Sequence, residues 1–407
     1  MSSFTVRGGK RLCGEIEVGG AKNAALPIIF ATLITHGTSV LHGVPDIGDV
    51  RIALNIIEDM GASVARLGDV LTVNTENVSY SYPRLSEISK IRASSYLIGA
   101  CLSRFGRSHI CAYGGCNFEN RPIDMHISAA CSVGAELCGN ELTASSLHGA
   151  DIRFGKISVG ATVNALLMTA AARGTSRIFG YAREPHVHAL ADFLCSAGAS
   201  IEFSDECITV EGCELHGGEA RIIPDMIEAG TYVALSVATA SSIRIVGSCR
   251  EELSPLWDRL VNCGACISFD GDSVTADGSL DEYMEIHTAP YPSFPTDLQP
   301  QMAPLMALFR GGKITEGVWT SRFGYLSQLA EFGIRYERRA NSALIYPSDI
   351  RAASAPAPDL RGGAAMLIAA LIADGESVIS SAETIGRGYE NIVKKLRAVG
   401  ADIEERN

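Results

Sequence analysis

The sequence lacks any apolar run able to cross a bilayer. Its longest, AALPIIFATLI at 24–34 and AAMLIAALIA at 364–373, fall short of the roughly 18 residues that a spanning helix needs, so no segment reads as transmembrane. The opening stretch, MSSFTVRGGKRLCGEIEV, has no apolar signal core, and a cytoplasmic location is expected. Positive charge is also short. With 34 Lys and Arg against 46 Asp and Glu, the net charge is −12 and spread along the chain, without the basic face of a nucleic-acid binder. An anionic ligand would have to meet a local cluster. Grouped histidines and a second Cys-x-x-Cys are missing too, so neither a metal site nor a cofactor is expected.

Cysteine itself is not scarce. Twelve are present, but they lie far apart in a long chain without a secretion signal, where reducing conditions are the default and a disulfide framework is not expected. The pair in CGAC, Cys263 and Cys266, mimics a redox motif, yet it falls where a helix should end and a strand begin. One thiol stands apart. In GGCNFENRPIDMH, 114–126, Cys116 follows two glycines and precedes Arg121 by five residues, in a segment too polar for a core. The chain has 407 residues, 47% of them hydrophobic, which exceeds the roughly 250 to 300 residues at which a single core stops growing. Two domains are the expectation.

An amphipathic helix ending in a glycine turn recurs six times, in MGASV, VGAEL, AGASI, CGACI, FGIRY and VGADI. The glycines, Gly61, Gly134, Gly198, Gly264, Gly333 and Gly400, are 64 to 73 residues apart and suit the left-handed position after a helix. A hairpin pattern follows nearly every one. The sixth repeat stops after one strand at Asn407, and FTVRGG at 4–9 resembles the missing partner, so the N-terminal strand should close the last unit. Each repeat also carries a second helix, small and apolar on nearly all sides, such as VGATVNALLMTAAA; such helices should be buried. The resulting unit is buried helix, strand, loop, surface helix, hairpin. Three units per domain give 22–224 as one domain and 1–21 with 225–407 as the other.

The unusual polar residues occupy matched places in the repeat. Lys22 and Asn23, Arg92, Lys156 and Ser158, Glu228, Asp297, and Asp359 with Arg361 stand at starts of buried helices. Cys116 with Arg121, Arg183 with Glu184, Arg322 and Arg387 stand in loops before surface helices. Equivalent places in a repeat fall on equivalent faces. A face collecting helix N-termini, Lys and Arg is an anion site, and a phosphate-bearing substrate fits it. Taken singly, each residue has a structural alternative: a solvated charge, or for Asp297 in FPTDLQ an N-cap.

In order along the whole chain, GGAKNAALPI, IRASSY, GGCNFENRPIDMH, KISVGATVN, AREP, FPTDLQ, SRF, DLR and RGYE resemble the UDP-N-acetylglucosamine 1-carboxyvinyltransferase family of enolpyruvyl transferases. The resemblance implies an α/β fold, a two-domain inside-out α/β barrel of six similar units with buried helices enclosed by sheets and outer helices. It also implies a reaction in which the 3′-hydroxyl of UDP-N-acetylglucosamine adds to C2 of phosphoenolpyruvate and phosphate is eliminated. By motif, Cys116 would be the general acid toward C3 of phosphoenolpyruvate, made reactive by Arg121 and loop N–H groups, and Asp297 the base. Lys22, Arg121 and Arg387 resemble the phosphate-binding set, Arg322 and Arg361 the carboxylate partners, and Asn23 contacts the sugar hydroxyl region with Asp297. Arg92, the run Arg121, Pro122, Ile123, Asp124 and Met125, the run Lys156, Ile157, Ser158 and Val159, and Val318 match the nucleotide-sugar contacts. Both substrates are small molecules, and no oligomeric state follows.

The match has departures. Met226 stands where the family usually has Arg, Thr320 and Ser321 where Glu-Asn precedes the arginine, Gly386 where Asp precedes Arg387, and His186 where an acid follows AREP. They bear on substrate affinity and turnover, since the reacting-centre residues are kept. Two alternatives stay open: a shikimate-pathway enolpyruvyl transferase, which does not use this cysteine loop, and a non-catalytic or slow nucleotide-sugar-binding paralogue.

Overall fold

The computed structural model describes residues 2–81, 84–114 and 122–406. The chain divides into two compact units, Met1–Gly19 with Pro224–Asn407, and Gly20–Ile223. Each has its own hydrophobic core, and no residue belongs to both.

Six helices are buried on nearly every side. Lys22–Ala31, Leu97–Phe105 and Val159–Ala170 belong to one unit, and Met226–Ala238, Gln299–Leu308 and Leu360–Ile372 to the other. Their sequences supply alanine and aliphatic residues around most of the circumference, and polar residues beyond the first turn, such as Asn164, Thr231 and Ser236, are hydrogen-bonded internally. The outer helices are amphipathic instead. In Gly48–Asp59, Val50, Ala53, Leu54, Ile56 and Ile57 face inward, whereas Arg51, Asn55 and Glu58 are exposed. All six glycines that follow outer helices adopt positive φ, from 87° to 120°. A side chain there would meet the steric penalty that glycine avoids.

Strands form three separate sheets per unit, five of four strands and one of three among the described residues. In three repeats a short strand before the buried helix pairs parallel to the strand after it. Asp151–Arg153 lies beside Gly174–Phe179, Met284–Thr288 beside Gly312–Glu316, and Ser354–Pro356 beside Glu376–Ser380. The hairpin then adds antiparallel strands on the other side.

At two points this rule is served by the other end of the chain. Cys13–Glu17, which leads into the helix Lys22–Ala31, pairs parallel with Ser242–Val246, and Glu219–Arg221, which leads into Met226–Ala238, pairs parallel with Thr38–His42. The chain therefore changes unit between these strands and the helices that follow them. On one side Ala21 N donates to Ile223 O at 2.7 Å; on the other Asp225 N donates to Gly19 O at 2.9 Å. Ser3–Arg7 lies between Glu376–Ser380 and Asp402–Arg406, antiparallel to both, and fills the place left by the shortened sixth repeat.

Candidate active site

In the unit made from the two chain ends, one carboxylate holds two buried guanidiniums. Asp297 Oδ1 accepts from Arg322 Nη1 at 2.6 Å, and Asp297 Oδ2 from Arg361 Nε at 3.2 Å. The arginine side chains are 8% and 2% exposed and Asp297 is 27% exposed, so the carboxylate forms the open side of the cluster. Burial opposes both positive charges. For Arg322 the Asp297 carboxylate outweighs it, and for Arg361 the Tyr389 hydroxyl with Asp297 and Asp225 does, so both guanidiniums titrate above the ordinary arginine value. Arg361 Nη2 is ion-paired with Asp297 Oδ2 at 3.2 Å, but neither terminal nitrogen makes a well-aligned hydrogen bond among the described residues. Unsatisfied buried donors carrying charge are costly, and an anionic group is what would satisfy them.

The backbone makes this arrangement rigid. Arg361 is the second residue of the helix Leu360–Ile372, whose N-cap Asp359 accepts from Arg361 N and Gly362 N, both at 2.9 Å. Its guanidinium lies over the Tyr389 ring, 5.2 Å from the centroid. Arg322 is held through its carbonyl by Gln299 Nε2 at 2.7 Å. The N-cap alternative for Asp297 does not hold: the helix begins at Gln299, Leu298 occupies the cap position, and the Asp297 oxygens go to the guanidiniums. Arg387 ends the short 3-10 helix Ala382–Arg387, half-buried, and Val318 lies in the turn after the strand Gly312–Glu316, its N–H on Glu316 Oε1 at 2.9 Å.

The second set of residues lies in the other unit. Lys22 opens the helix Lys22–Ala31 and its Nζ lies 3.3 Å from Asp49 Oδ2, with Asn23 beside it in the first turn. Arg92 begins the 3-10 helix Arg92–Tyr96, and burial lowers its pKa. Asp124 starts the helix Asp124–Ser132 with Pro122 and Ile123 just before it and Met125 after it. Lys156 and Ile157 are exposed ahead of Ser158, the N-cap of Val159–Ala170, whose hydroxyl accepts from Ala161 N at 3.3 Å. Cys116 and Arg121 lie outside the described residues.

Asn164 was not legible as a site residue, yet it ties these helix starts together. Its Oδ1 accepts from Gly99 N at 2.6 Å, and its Nδ2 donates to Ser95 O at 3.1 Å, Gly160 O at 3.3 Å and His126 Nδ1 at 2.7 Å. Burial, aided by Arg92, pushes the His126 pKa down to about 4, so the ring is neutral near neutral pH. Glu228, picked out by its place in the repeat, is a structural brace: it accepts from Gly19 N at 2.8 Å, Tyr232 Oη at 2.8 Å and Lys395 Nζ at 2.7 Å. Arg183 forms an exposed pair with Asp205. Of the departures, Met226 opens the helix Met226–Ala238, His186 is buried, and a Cβ on Gly386 would meet nothing within 4 Å.

No group of three or more His, Cys, Asp or Glu among the described residues could hold a metal ion, and no described helix is long and apolar enough to cross a membrane.

Comparison with known proteins places this geometry. The family model for EPSP synthase (3-phosphoshikimate 1-carboxyvinyltransferase) matches residues 6–396. The crystal structure of the enolpyruvyl transferase NikO from Streptomyces tendae superposes with a TM-score of 0.88 at 25% identity, covering 99% of this chain and 98% of that one. EPSP synthase from Acinetobacter baumannii gives a TM-score of 0.72 at 16% identity, with both chains fully covered. Fold and family model together define an enolpyruvyl transferase. Among curated relatives, UDP-N-acetylglucosamine 1-carboxyvinyltransferase of Halothermothrix orenii is 37% identical over 414 residues with both chains covered completely. The protein named UDP-N-acetylglucosamine 1-carboxyvinyltransferase 1 of Carboxydothermus hydrogenoformans is 39% identical over 417 residues, covering 100% of this chain and 99% of its own. The chain belongs to the UDP-N-acetylglucosamine 1-carboxyvinyltransferase family.

Proposed function

We propose that the protein transfers the enolpyruvyl group of phosphoenolpyruvate to the 3′-hydroxyl of UDP-N-acetylglucosamine, releasing phosphate, in the cytoplasm and at the first committed step of peptidoglycan synthesis. The observation that carries the reading is the buried cluster in which Arg322 and Arg361 share Asp297, with Arg361 Nη1 lacking a hydrogen-bond partner among the described residues. The carboxylate of phosphoenolpyruvate meets these guanidiniums at the open side of the cluster. The two remaining alternatives are less well supported, since the full-length relatives carry the nucleotide-sugar name.

In this reading the domain 22–224 carries the Cys116 loop and the nucleotide-sugar residues, and 1–21 with 225–407 carries the Asp297 cluster. Lys22, Arg121 and Arg387 hold the phosphate. Asp297 takes the proton of the 3′-hydroxyl as its oxygen bonds to C2, and Cys116 delivers a proton to C3. The tetrahedral adduct then returns a C3 proton to the Cys116 thiolate as the bond between C2 and the phosphate oxygen breaks, which restores the double bond and frees phosphate. Asn23 and Asp297 meet the sugar hydroxyl region, while Arg92, Pro122 to Met125, Lys156 to Val159 and Val318 hold the nucleotide-sugar. Phosphate release measured with both substrates, and with each omitted, tests the reaction. Release that requires both supports it; none with both present overturns it.

A further inference from the structure

We propose that Glu316 is a positioning residue for the Asp297–Arg322 pair, acting through the hydroxyl of Thr296. The proposal rests on the enolpyruvyl-transfer reading above. Glu316 ends the strand Gly312–Glu316, is fully buried, and takes part in no ion pair among the described residues. What surrounds its carboxylate is a set of donors. Oε1 accepts from Thr288 Oγ1 at 2.6 Å, Val318 N at 2.9 Å and Trp319 N at 3.0 Å, and Oε2 accepts from Thr296 Oγ1 at 2.9 Å. Four donors and no acceptor is an environment built for an ionised carboxylate, which accepts only.

The Thr296 hydroxyl has one proton. With that proton on Glu316 Oε2, its lone pairs face Arg322 Nη1, which lies 3.2 Å away and donates to Thr296 Oγ1. The same Nη1 donates to Asp297 Oδ1 at 2.6 Å. Glu316 thereby sets the polarity of Thr296, Thr296 fixes the aim of Arg322, and Arg322 fixes one oxygen of Asp297. A second arm runs through Oε1, where the N–H groups of Val318 and Trp319 shape the turn that carries Val318. The two oxygens of one side chain therefore have separable outputs: the Asp297 cluster through Oε2, and the Val318 turn through Oε1.

Glutamine at this position separates them. Its carbonyl must stay where three donors converge, at the Oε1 place, so its amide nitrogen falls opposite Thr296. The Thr296 hydroxyl would then accept from the amide and turn its own proton toward Arg322, donor against donor.

The test measures kcat and KM on Glu316→Gln, Thr296→Val, Thr296→Ser and the double variant Glu316→Gln/Thr296→Val, with phosphoenolpyruvate and UDP-N-acetylglucosamine as substrates and a thermal midpoint for each. Glu316→Gln and Thr296→Val should each lower kcat by about tenfold while the KM for UDP-N-acetylglucosamine moves by less than about twofold, as expected for losing a hydrogen bond to a charged group. The double variant should fall about tenfold and not about a hundredfold, since both changes cut one chain. Thr296→Ser, which keeps the hydroxyl, should recover most of the turnover. Wild-type kcat in Thr296→Val, multiplying losses in the double variant, or a loss confined to KM would each overturn the proposal while leaving the reaction intact. A wild-type protein that releases no phosphate would instead remove the functional reading, and this proposal with it. If Glu316→Gln does not fold, the contrast between Thr296→Val and Thr296→Ser decides alone.

Discussion

Asp297 answers to two arginines, and that sets what a conservative change there does. Asp297→Asn keeps the shape but removes both the basicity and the counter-charge for Arg322 and Arg361. Turnover should fall by roughly 10² to 10⁴ if Asp297 is the base. Stability should fall as well, by about 1 to 3 kcal/mol, less than for a fully buried pair because Asp297 remains partly in solvent. A folded variant with wild-type turnover, or one with an unchanged thermal midpoint, would contradict the base or the clamp respectively. His126 gives a pH signature. Its folded pKa of about 4 lies below the ordinary 6.5, so between those values the unfolded chain binds the proton and the folded one does not. Its contribution is fully present above about pH 6.5, declines as pH falls through the window, and is gone below about 4. Thermal midpoints from pH 7 to 4 should drop more steeply for the wild type than for His126→Gln; parallel curves would mean that the imidazole is not held neutral. FPTDLQ, SRF and DLR were legible because their charged residues stand at helix starts and loops matched by the repeat. Glu316, Thr296 and Asn164 were not, because their partners are backbone groups and hydroxyls brought together by the fold, and a single Glu before a glycine carries no spacing signal.

At the scale of the element, the buried helices carry their caps in the first turn, while polar residues further in, such as Asn164 and Thr231, are hydrogen-bonded inside their unit. Asp359 caps Leu360–Ile372 through two N–H groups and sets the backbone from which Arg361 projects. Asp359→Ala should cost about 1 kcal/mol, within the 0.5 to 2 usual for a lost cap, and Asp359→Asn much less. Thermal or urea unfolding of the two variants checks this; equal losses would point to charge instead of capping. The helices and their glycine stops were readable because each imposes a physical demand on sequence: an apolar circumference in one case, a left-handed residue in the other. The short parallel strands before the buried helices escaped. DIR, EAR and SAP have three residues each, too few for an alternating pattern to separate from a loop, and what makes them strands is the neighbour they pair with.

For the whole molecule, the arrangement of cores makes a stronger statement than the repeat alone. The apolar cluster of residues 21–222 and that of residues 4–18 with 227–403 are disjoint, and each includes buried helices, sheets and outer helices of its own unit. The ends of the inserted segment are pinned inside their own unit by the bond from Ala21 N to Ile223 O, and the segment closes its own sheet by pairing Glu219–Arg221 with Thr38–His42. A fragment of residues 20–223 should therefore fold by itself. Its 204 residues (223 − 20 + 1) are enough for a domain of ordinary size. It should show a cooperative thermal transition and slow amide exchange in Val159–Ala170, and it should lack turnover, since Asp297, Arg322 and Arg361 are not in it. The complementary chain, Met1–Gly19 joined to Pro224–Asn407, should fold as well, because Asp225 N already donates to Gly19 O and the junction replaces two adjacent ends. A fragment 20–223 that stays uncooperative and exchanges all its amides within minutes would show that its core needs the rest of the chain, and that the two clusters, though separate in packing, form only together.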